Sequence, residues 1–113
     1  GWHCDTQEYT VTVMFRTSDE GGIFQYVPQT GPWDVNYPRV PDLFDGDESL
    51  IRSIPIRPGS IVLFRGANTL HRVTPTGGST SRILSPFHFE QVPGRIYSDE
   101  FKRDSFGRTE SRV

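Results

Sequence analysis

Glycine and proline divide this chain into short pieces, and this division is its strongest constraint on the fold. Eleven glycines and nine prolines occur among 113 residues, about 18% of the chain, where roughly 12% is usual. Between them lie short runs of β-branched and aromatic residues, bounded by turn-forming residues. This pattern predicts a domain that is mainly all-β.

The clearest strand covers residues 9–15, and a second follows at residues 23–27. Alternation divides the first strand between two faces, with Tyr9, Val11, Val13 and Phe15 on one and Thr10, Thr12 and Met14 on the other. We expect these two strands to pair as a hairpin with a polar turn through residues 17–22, in which Gly21 and Gly22 break the chain. Further strands are expected at residues 54–57, 61–64, 69–74 and 81–89, and a tight turn at residues 76–79 should join the last two.

Residues 28–50 interrupt the strand pattern. Four prolines and several acidic residues surround scattered aromatic residues there, so we expect a long loop with a short helix near residues 47–53. Loops of this length often act as lids or binding loops, although a plain surface loop fits equally well. We assign residues 1–95 to the domain core and residues 96–113 to a polar C-terminal extension that frays or lies over the domain.

Composition limits the possible partners. A net charge of −2 and a pI near 5.9 provide no basic patch for nucleic acid. No apolar run approaches the roughly 20 residues that cross a membrane. The single cysteine, Cys4, cannot form an internal disulfide, which favours a reducing, cytoplasmic location. We expect a small-molecule substrate, and the sequence sets no expectation for the oligomeric state.

Three residues form a candidate metal site. On an extended strand, residues i and i+2 point to the same face, so His3 and Asp5 can share one ion. His71 would supply the third ligand from a distant strand. Two imidazoles and one carboxylate on one face of a metal are typical of non-haem Fe(II) oxygenases. The His-x-Asp pattern alone is weak, so its weight depends on the residues that accompany it.

An arginine accompanies these three residues. Arg82 follows His71 by eleven positions, across a strand, a tight turn and a return strand, which can bring its guanidinium near the metal. An arginine in that place can bind the distal carboxylate of a 2-oxo acid through paired hydrogen bonds. The sequence therefore predicts a site for a metal and a co-substrate together.

Further motifs extend the pattern over about residues 1–95. They are His3-Cys4-Asp5, Pro58-Gly59-Ser60, Leu70-His71-Arg72-Val73-Thr74-Pro75 and Arg82, with Gly21-Gly22, Tyr26-Val27-Pro28 and Gly107-Arg108 in support. With these motifs the sequence resembles the 2-oxoglutarate/Fe(II)-dependent dioxygenases, and most closely a bacterial branch that hydroxylates or halogenates small, amino-acid-like substrates. The resemblance implies a double-stranded β-helix (jelly roll) of two antiparallel sheets. It also implies Fe(II) held by His3, Asp5 and His71, 2-oxoglutarate held by Arg82, and O2 as the oxidant.

The resemblance also implies a reaction, namely hydroxylation of the substrate with release of succinate and CO2. In the halogenases of this superfamily, a glycine or alanine replaces the carboxylate and frees a position for chloride, whereas this chain has Asp5. Many relatives carry a serine or threonine two residues after the arginine. Here that residue is Leu84, so the co-substrate carboxylate would need another second partner, such as Thr69 or Thr12.

The strand and helices that precede the His-x-Asp segment in that family are absent from this chain, which begins with Gly1 rather than Met. A jelly roll that lacks a strand exposes a sheet edge and part of its core. We therefore expect a fold that is incomplete at the N-terminus, and a fragment that is poorly stable or inactive by itself.

Other residues and functions compete with these assignments. His88 is an alternative third ligand, Arg65 an alternative co-substrate arginine, and Cys4 an alternative ligand in a zinc site. The candidate substrate contacts are Thr12, Tyr26 and Trp33. Two other functions stay open: a cupin-like metal-dependent enzyme that does not use 2-oxoglutarate, and a non-catalytic β-sandwich binding module.

Overall fold

The structure, a computed structural model, describes residues 1–28, Thr30 and residues 40–110. Its strands in these ranges are β1 (Tyr9–Arg16), β2 (Glu20–Gly21), β3 (Phe24–Val27), β4 (Arg52–Ile54), β5 (Ile61–Phe64), β6 (Leu70–Val73), β7 (Thr76–Gly77) and β8 (Ile83–Phe89). Two short helices, α1 (Val40–Phe44) and α2 (Asp99–Phe106), complete the regular structure together with two 3₁₀ turns at Glu48–Leu50 and Gly66–Asn68. The expected mainly-β character is confirmed.

The strands form two three-stranded antiparallel sheets and a short ribbon. One sheet has the order β5-β1-β8, the other has the order β4-β3-β6, and β2 pairs with β7. Phe64 on β5 contacts Phe24 on β3 and His71 on β6, with ring centroids 5.0 and 4.9 Å apart. The two sheets therefore face each other across the site that these aromatic rings border.

The expected hairpin between residues 9–15 and 23–27 is wrong, because β1 and β3 belong to different sheets. Gly21 and Gly22 both adopt left-handed backbone conformations, with φ of 62° and 66°, and they turn the chain out of the first sheet. A Cβ on Gly21 would lie 1.8 Å from the carbonyl oxygen of Pro75, so this crossing requires glycine. The segment from β6 to β8 crosses in the same way, through β7, and is likewise not a hairpin.

The expected boundaries shift around the long loop. The strand predicted at residues 54–57 lies at Arg52–Ile54, and the helix predicted near residues 47–53 is only the 3₁₀ turn Glu48–Leu50. Helix α1 was not predicted, and its Leu43 is buried. Trp33, which was placed in this loop as a substrate contact, lies outside the described residues.

The C-terminal extension contains helix α2, which the sequence analysis did not predict. The hydroxyl of Ser98 accepts a hydrogen bond from the Phe101 amide at 3.1 Å and caps its first turn. Gly107 ends it in a left-handed conformation with φ of 69°, as is common at helix C-termini. In the part of the chain that the structure describes, no helix is long and apolar enough to cross a membrane.

The core is small and lies beside the second sheet. Val27, Leu43 and Leu70 form a buried cluster, which joins β3, β6 and helix α1. Trp2, Cys4, Val40, Leu50 and Ile51 pack around that cluster. The N-terminal segment and the long loop are therefore both anchored on the strand that carries His71.

The first sheet has an apolar outer face. Its large exposed side chains are Phe15, Ile61, Leu63, Ile83, Phe87 and Phe89. The opposite face turns inwards and buries the hydroxyl residue Thr10, which is 3% exposed, and Met14, which is 2% exposed. The alternation predicted for β1 is therefore present, and its more polar face points to the interior.

Replacing Leu70 by alanine should lower the free energy of unfolding by about 2–5 kcal/mol, because it leaves a cavity in the buried cluster. The same replacement at Leu63, which is 66% exposed, should cost about 0.5 kcal/mol or less. Urea denaturation followed by fluorescence measures both. Equal losses in the two variants would show that the cluster is not the core.

Candidate metal centre

The N-terminal segment lies along the edge of β6. The amide of His3 donates to the carbonyl of His71 and the amide of His71 donates to the carbonyl of His3, both at 2.9 Å. The amide of Asp5 donates to the carbonyl of Gly66, also at 2.9 Å. These backbone bonds place the side chains of His3 and Asp5 beside that of His71.

The three side chains converge as the His-x-Asp pattern predicts. Nε2 of His71 lies 3.3 Å from Oδ1 of Asp5, and Nε2 of His3 lies 3.7 Å from the same oxygen. One ligand atom from each residue falls within a 4.8 Å span. Ligand atoms that sit about 2.1 Å from one ion are separated by roughly 3–4 Å, so this arrangement could hold a metal ion.

Hydrogen bonds fix which imidazole nitrogens face the centre. Nδ1 of His71 lies 2.7 Å from the carbonyl of Thr69, and Nδ1 of His3 lies 2.9 Å from the carbonyl of Gly1. A carbonyl can only accept, so in the neutral ring each Nδ1 carries the proton and each Nε2 keeps its lone pair. Metal-bound histidines in proteins are usually oriented by this kind of second bond.

His71 and His3 differ in burial. His71 is 4% exposed and is held by Phe24, stacked at a centroid distance of 5.6 Å, and by Phe64, edge-on at 4.9 Å. The side chain of His3 is 55% exposed. The centre therefore has a rigid inner wall and a side that opens to solvent.

The carboxylate of Asp5 is held through its second oxygen. The hydroxyl of Thr10 donates to Oδ2 at 2.5 Å, a length typical of a charge-assisted bond. Gly66 makes room for this carboxylate, because a Cβ there would lie 2.1 Å from Oδ2. The oxygen nearest the two imidazoles, Oδ1, is thus the one that faces the centre.

The environment keeps Asp5 ionised. Burial by itself would raise its pKa, but the hydrogen bond from Thr10 and, when the imidazoles are protonated, the hydrogen bond from His71 and the positive charges of His71 and His3 outweigh burial and lower the pKa below the ordinary value of 3.8. Asp5 is therefore an anionic ligand near neutral pH. Burial and the neighbouring Asp5 raise the pKa of Cys4, so its thiol stays protonated and packs against the core cluster, as suits a small apolar residue.

Arg82 lies just before β8, and hydrogen bonds fix the backbone of the residues that precede it. The amide of Thr80 donates to the carboxylate of Asp19 at 2.9 Å, and Arg16 donates through Nε to the carbonyl of Ser81 at 2.8 Å. Side-chain and backbone hydrogen bonds from Thr80 and backbone bonds from Ser79 lower the pKa of Asp19 to about 2. Asp19 is therefore ionised at neutral pH, and it keeps the hydrogen bonds that it accepts from the amides of Ser79 and Thr80.

The side chain of Arg82 is packed but unsatisfied. Its Cδ would lie 2.9 Å from a Cβ on Gly22, so glycine is needed for the close approach. Its Nε is buried without a hydrogen-bond partner among the described residues, and burial lowers the pKa of the guanidinium. No described hydrogen bond or ion pair joins Arg82 to the three candidate ligands.

The structure also shows where the candidate substrate contacts and the alternative ligands lie. Tyr26 is directly opposite His71 in the β3–β6 register, so the two side chains share one face of the sheet. Thr12 is half-buried on the inward face of β1. The alternative arginine, Arg65, lies at the surface, with its Nη2 3.4 Å from Glu8. His88 does not join the group of candidate ligands.

The roles of the residues that hold the ligands are not evident from the sequence. Thr10 and Gly66 both contact the carboxylate of Asp5, and His88 bonds to Thr10 with Nδ1 3.1 Å from the hydroxyl. The available signal was a threonine-bearing face on an otherwise apolar strand. A pattern of this kind shows which residues share a face but does not reveal what they touch on a distant segment.

A family model matches most of the chain. The model of the family described as Halogenase D matches residues 1–93 of the chain, a range that includes all three candidate ligands and Arg82. Among curated proteins there is no match.

Replacing Gly66 by alanine should weaken Co(II) or Fe(II) binding by about 10–100-fold, because the added Cβ displaces Asp5 and supporting residues around metal ligands typically have effects of this size. Gly77→Ala is the matched control, since its Cβ would lie 2.9 Å from the mobile end of Glu20. Titration calorimetry measures both. Unchanged affinity in the Gly66 variant would contradict the assigned role of this glycine.

Proposed function

Because this chain belongs to the halogenase D family, we propose that it is an Fe(II)- and 2-oxoglutarate-dependent oxygenase. The proposed reaction hydroxylates a small, amino-acid-like substrate and releases succinate and CO2. We further infer that the two facing sheets are the walls of a double-stranded β-helix. The observation that carries the proposal is the convergence of two imidazoles and one carboxylate on a single point.

The donor set suits Fe(II). Nε2 of His3, Nε2 of His71 and Oδ1 of Asp5 would hold it, in the combination that characterises non-haem iron oxygenases. When bound, iron supplies the redox chemistry with O2. The protein's own contribution is to orient these ligands through backbone carbonyls and Thr10, and to exclude water with the aromatic wall around His71.

Arg82 supports the choice of co-substrate. A buried guanidinium nitrogen without a partner is costly, and the distal carboxylate of 2-oxoglutarate would satisfy it with charge-assisted bonds. Gly22, against which Arg82 packs, lies four residues before Tyr26, the partner of His71. Four residues of chain span at most about 14 Å, a separation that a five-carbon dicarboxylate and the arginine side chain can bridge together.

The identity of residue 5 favours hydroxylation over halogenation. The family description names a halogenase, and halogenation needs an open metal position for a halide. Asp5 carries a carboxylate toward that position, and Thr10 and Gly66 shape its surroundings to fit one. Oxygen transfer to the substrate is therefore the reaction that we propose for this chain.

In the full-length protein, anaerobic addition of Fe(II) and 2-oxoglutarate should produce a weak visible charge-transfer band. Arg82→Ala should weaken co-substrate binding by at least ~10-fold, since paired charge-assisted bonds contribute roughly 1.5–3 kcal/mol or more, and His71→Ala should abolish the band. Arg57→Ala, at an exposed arginine, is the matched control. Absence of the band in the unaltered protein would refute the assignment.

Other outcomes of this experiment separate the rival functions. Tight Fe(II) binding with no response to 2-oxoglutarate would favour a cupin-like enzyme that uses the metal differently. No Fe(II) binding at all would favour a β-sandwich module in which the two histidines and the aspartate are incidental.

Incubation of the full-length protein with O2, 2-oxoglutarate and a panel of free amino acids should produce succinate and a substrate heavier by one oxygen atom, even in excess chloride. Mass spectrometry distinguishes this product from a chlorinated one. Asp5→Asn should reduce turnover by at least ~10-fold, because ligand loss weakens metal binding. A chlorinated product from the unaltered protein would overturn the proposed hydroxylation.

A further inference from the structure

We propose that Thr10 and His88 are positioning residues that hold Asp5 as a ligand through one oxygen only. This inference rests on the proposed metal site but goes beyond it, because it concerns the number of positions that the site leaves open. It is carried by a chain of two hydrogen bonds that runs from β8 through β1 to the N-terminal segment.

The direction of the two bonds follows from the donors available. The hydroxyl of Thr10 has one proton, and Oδ2 of the ionised Asp5 can only accept, so that proton goes to Asp5 at 2.5 Å. The bond to His88, with Nδ1 3.1 Å from the hydroxyl, must then be donated by His88. A hydroxyl that accepts a hydrogen bond donates more strongly, so His88 reinforces the bond to Asp5.

The sheet register makes this chain of bonds a fixed feature. Thr10 and His88 are directly opposite each other in the β1–β8 pair, and opposite residues point to the same face. Thr10 is 3% exposed, and a buried hydroxyl is costly unless it is bonded. Thr10 therefore has little freedom to release Asp5.

The other side of the carboxylate is closed by backbone. Oδ2 lies against Gly66, where a Cβ would be 2.1 Å away, and the Asp5 amide is bonded to the carbonyl of that same residue. Rotation that brought Oδ2 toward the two imidazoles would break the Thr10 bond. Oδ1 alone is thus presented to the centre.

One-oxygen ligation has a consequence for the reaction. If the ion takes six ligands, two imidazoles and one carboxylate oxygen would leave three positions for others, such as the donor oxygens of a 2-oxo acid. A carboxylate that ligated through both oxygens would leave two. Thr10 and His88 would therefore keep one more coordination position open, although neither residue contacts the metal.

Cobalt(II) bound to the chain without co-substrate provides the test, because its visible d–d bands report the number and arrangement of ligands. Thr10→Val, which keeps the shape and removes the hydroxyl, should change the band intensities and weaken Co(II) binding by about 10-fold. His88→Leu should shift the spectrum in the same direction by a smaller amount. His88→Asn should restore the original spectrum, because its amide nitrogen can donate from nearly the place of Nδ1.

Thr76→Val is the matched control, since Thr76 is exposed on β7 and should leave the spectrum unchanged. If Thr10→Val fails to fold, the exposed His88 variants decide the question by themselves. Failure of the unaltered chain to bind Co(II) would refute the metal site and this inference together. Normal Co(II) binding, with the same spectrum and affinity in Thr10→Val and His88→Leu, would refute only the positioning role.

Discussion

The site depends on one pair of backbone hydrogen bonds, those that join His3 and His71 at 2.9 Å in each direction. An antiparallel bridge places two side chains on the same face at short range, so two distant parts of the sequence contribute imidazoles to one point. The third ligand follows because Asp5 lies two residues further along the extended segment and is bonded to Gly66. The packing of Trp2 and Cys4 against the Val27–Leu43–Leu70 cluster holds this segment in place.

Much of the site could be predicted from the sequence because it depends on strand periodicity and on residue chemistry. The period of two put His3 and Asp5 on one face, and the same rule divided β1 into the two faces that the structure has. The hairpins could not be predicted correctly, because alternation does not state which sheet a strand joins. That choice depends on the left-handed Gly21 and Gly22 and on the pairing of Glu20 with Gly77, which are contacts between distant segments.

The surroundings of the Asp5 carboxylate show what kind of side chain this position accommodates, which the identity of residue 5 alone does not. Thr10 supplies a donor for Oδ2, and Gly66 supplies the space in which that oxygen lies. An unpaired buried donor or an empty space would be costly, so these residues suit an aspartate better than a smaller side chain. Within a family described by halogenation, this chain thus has a fitted place for a carboxylate at residue 5, which the proposed hydroxylation requires.

The apolar outer face of the first sheet would give a bound metal a part in folding. Thr10 and His88 alternate along their strands with Val11, Phe87 and Phe89, and the hydrophobic effect would favour turning the second set inwards. A slip of one residue in β1 would turn Val11 inwards in place of Thr10 and would remove Thr10 from Asp5. An ion held by the three ligands would stabilise the fold in which they converge, so metal binding would favour the observed strand alignment over its hydrophobic competitor.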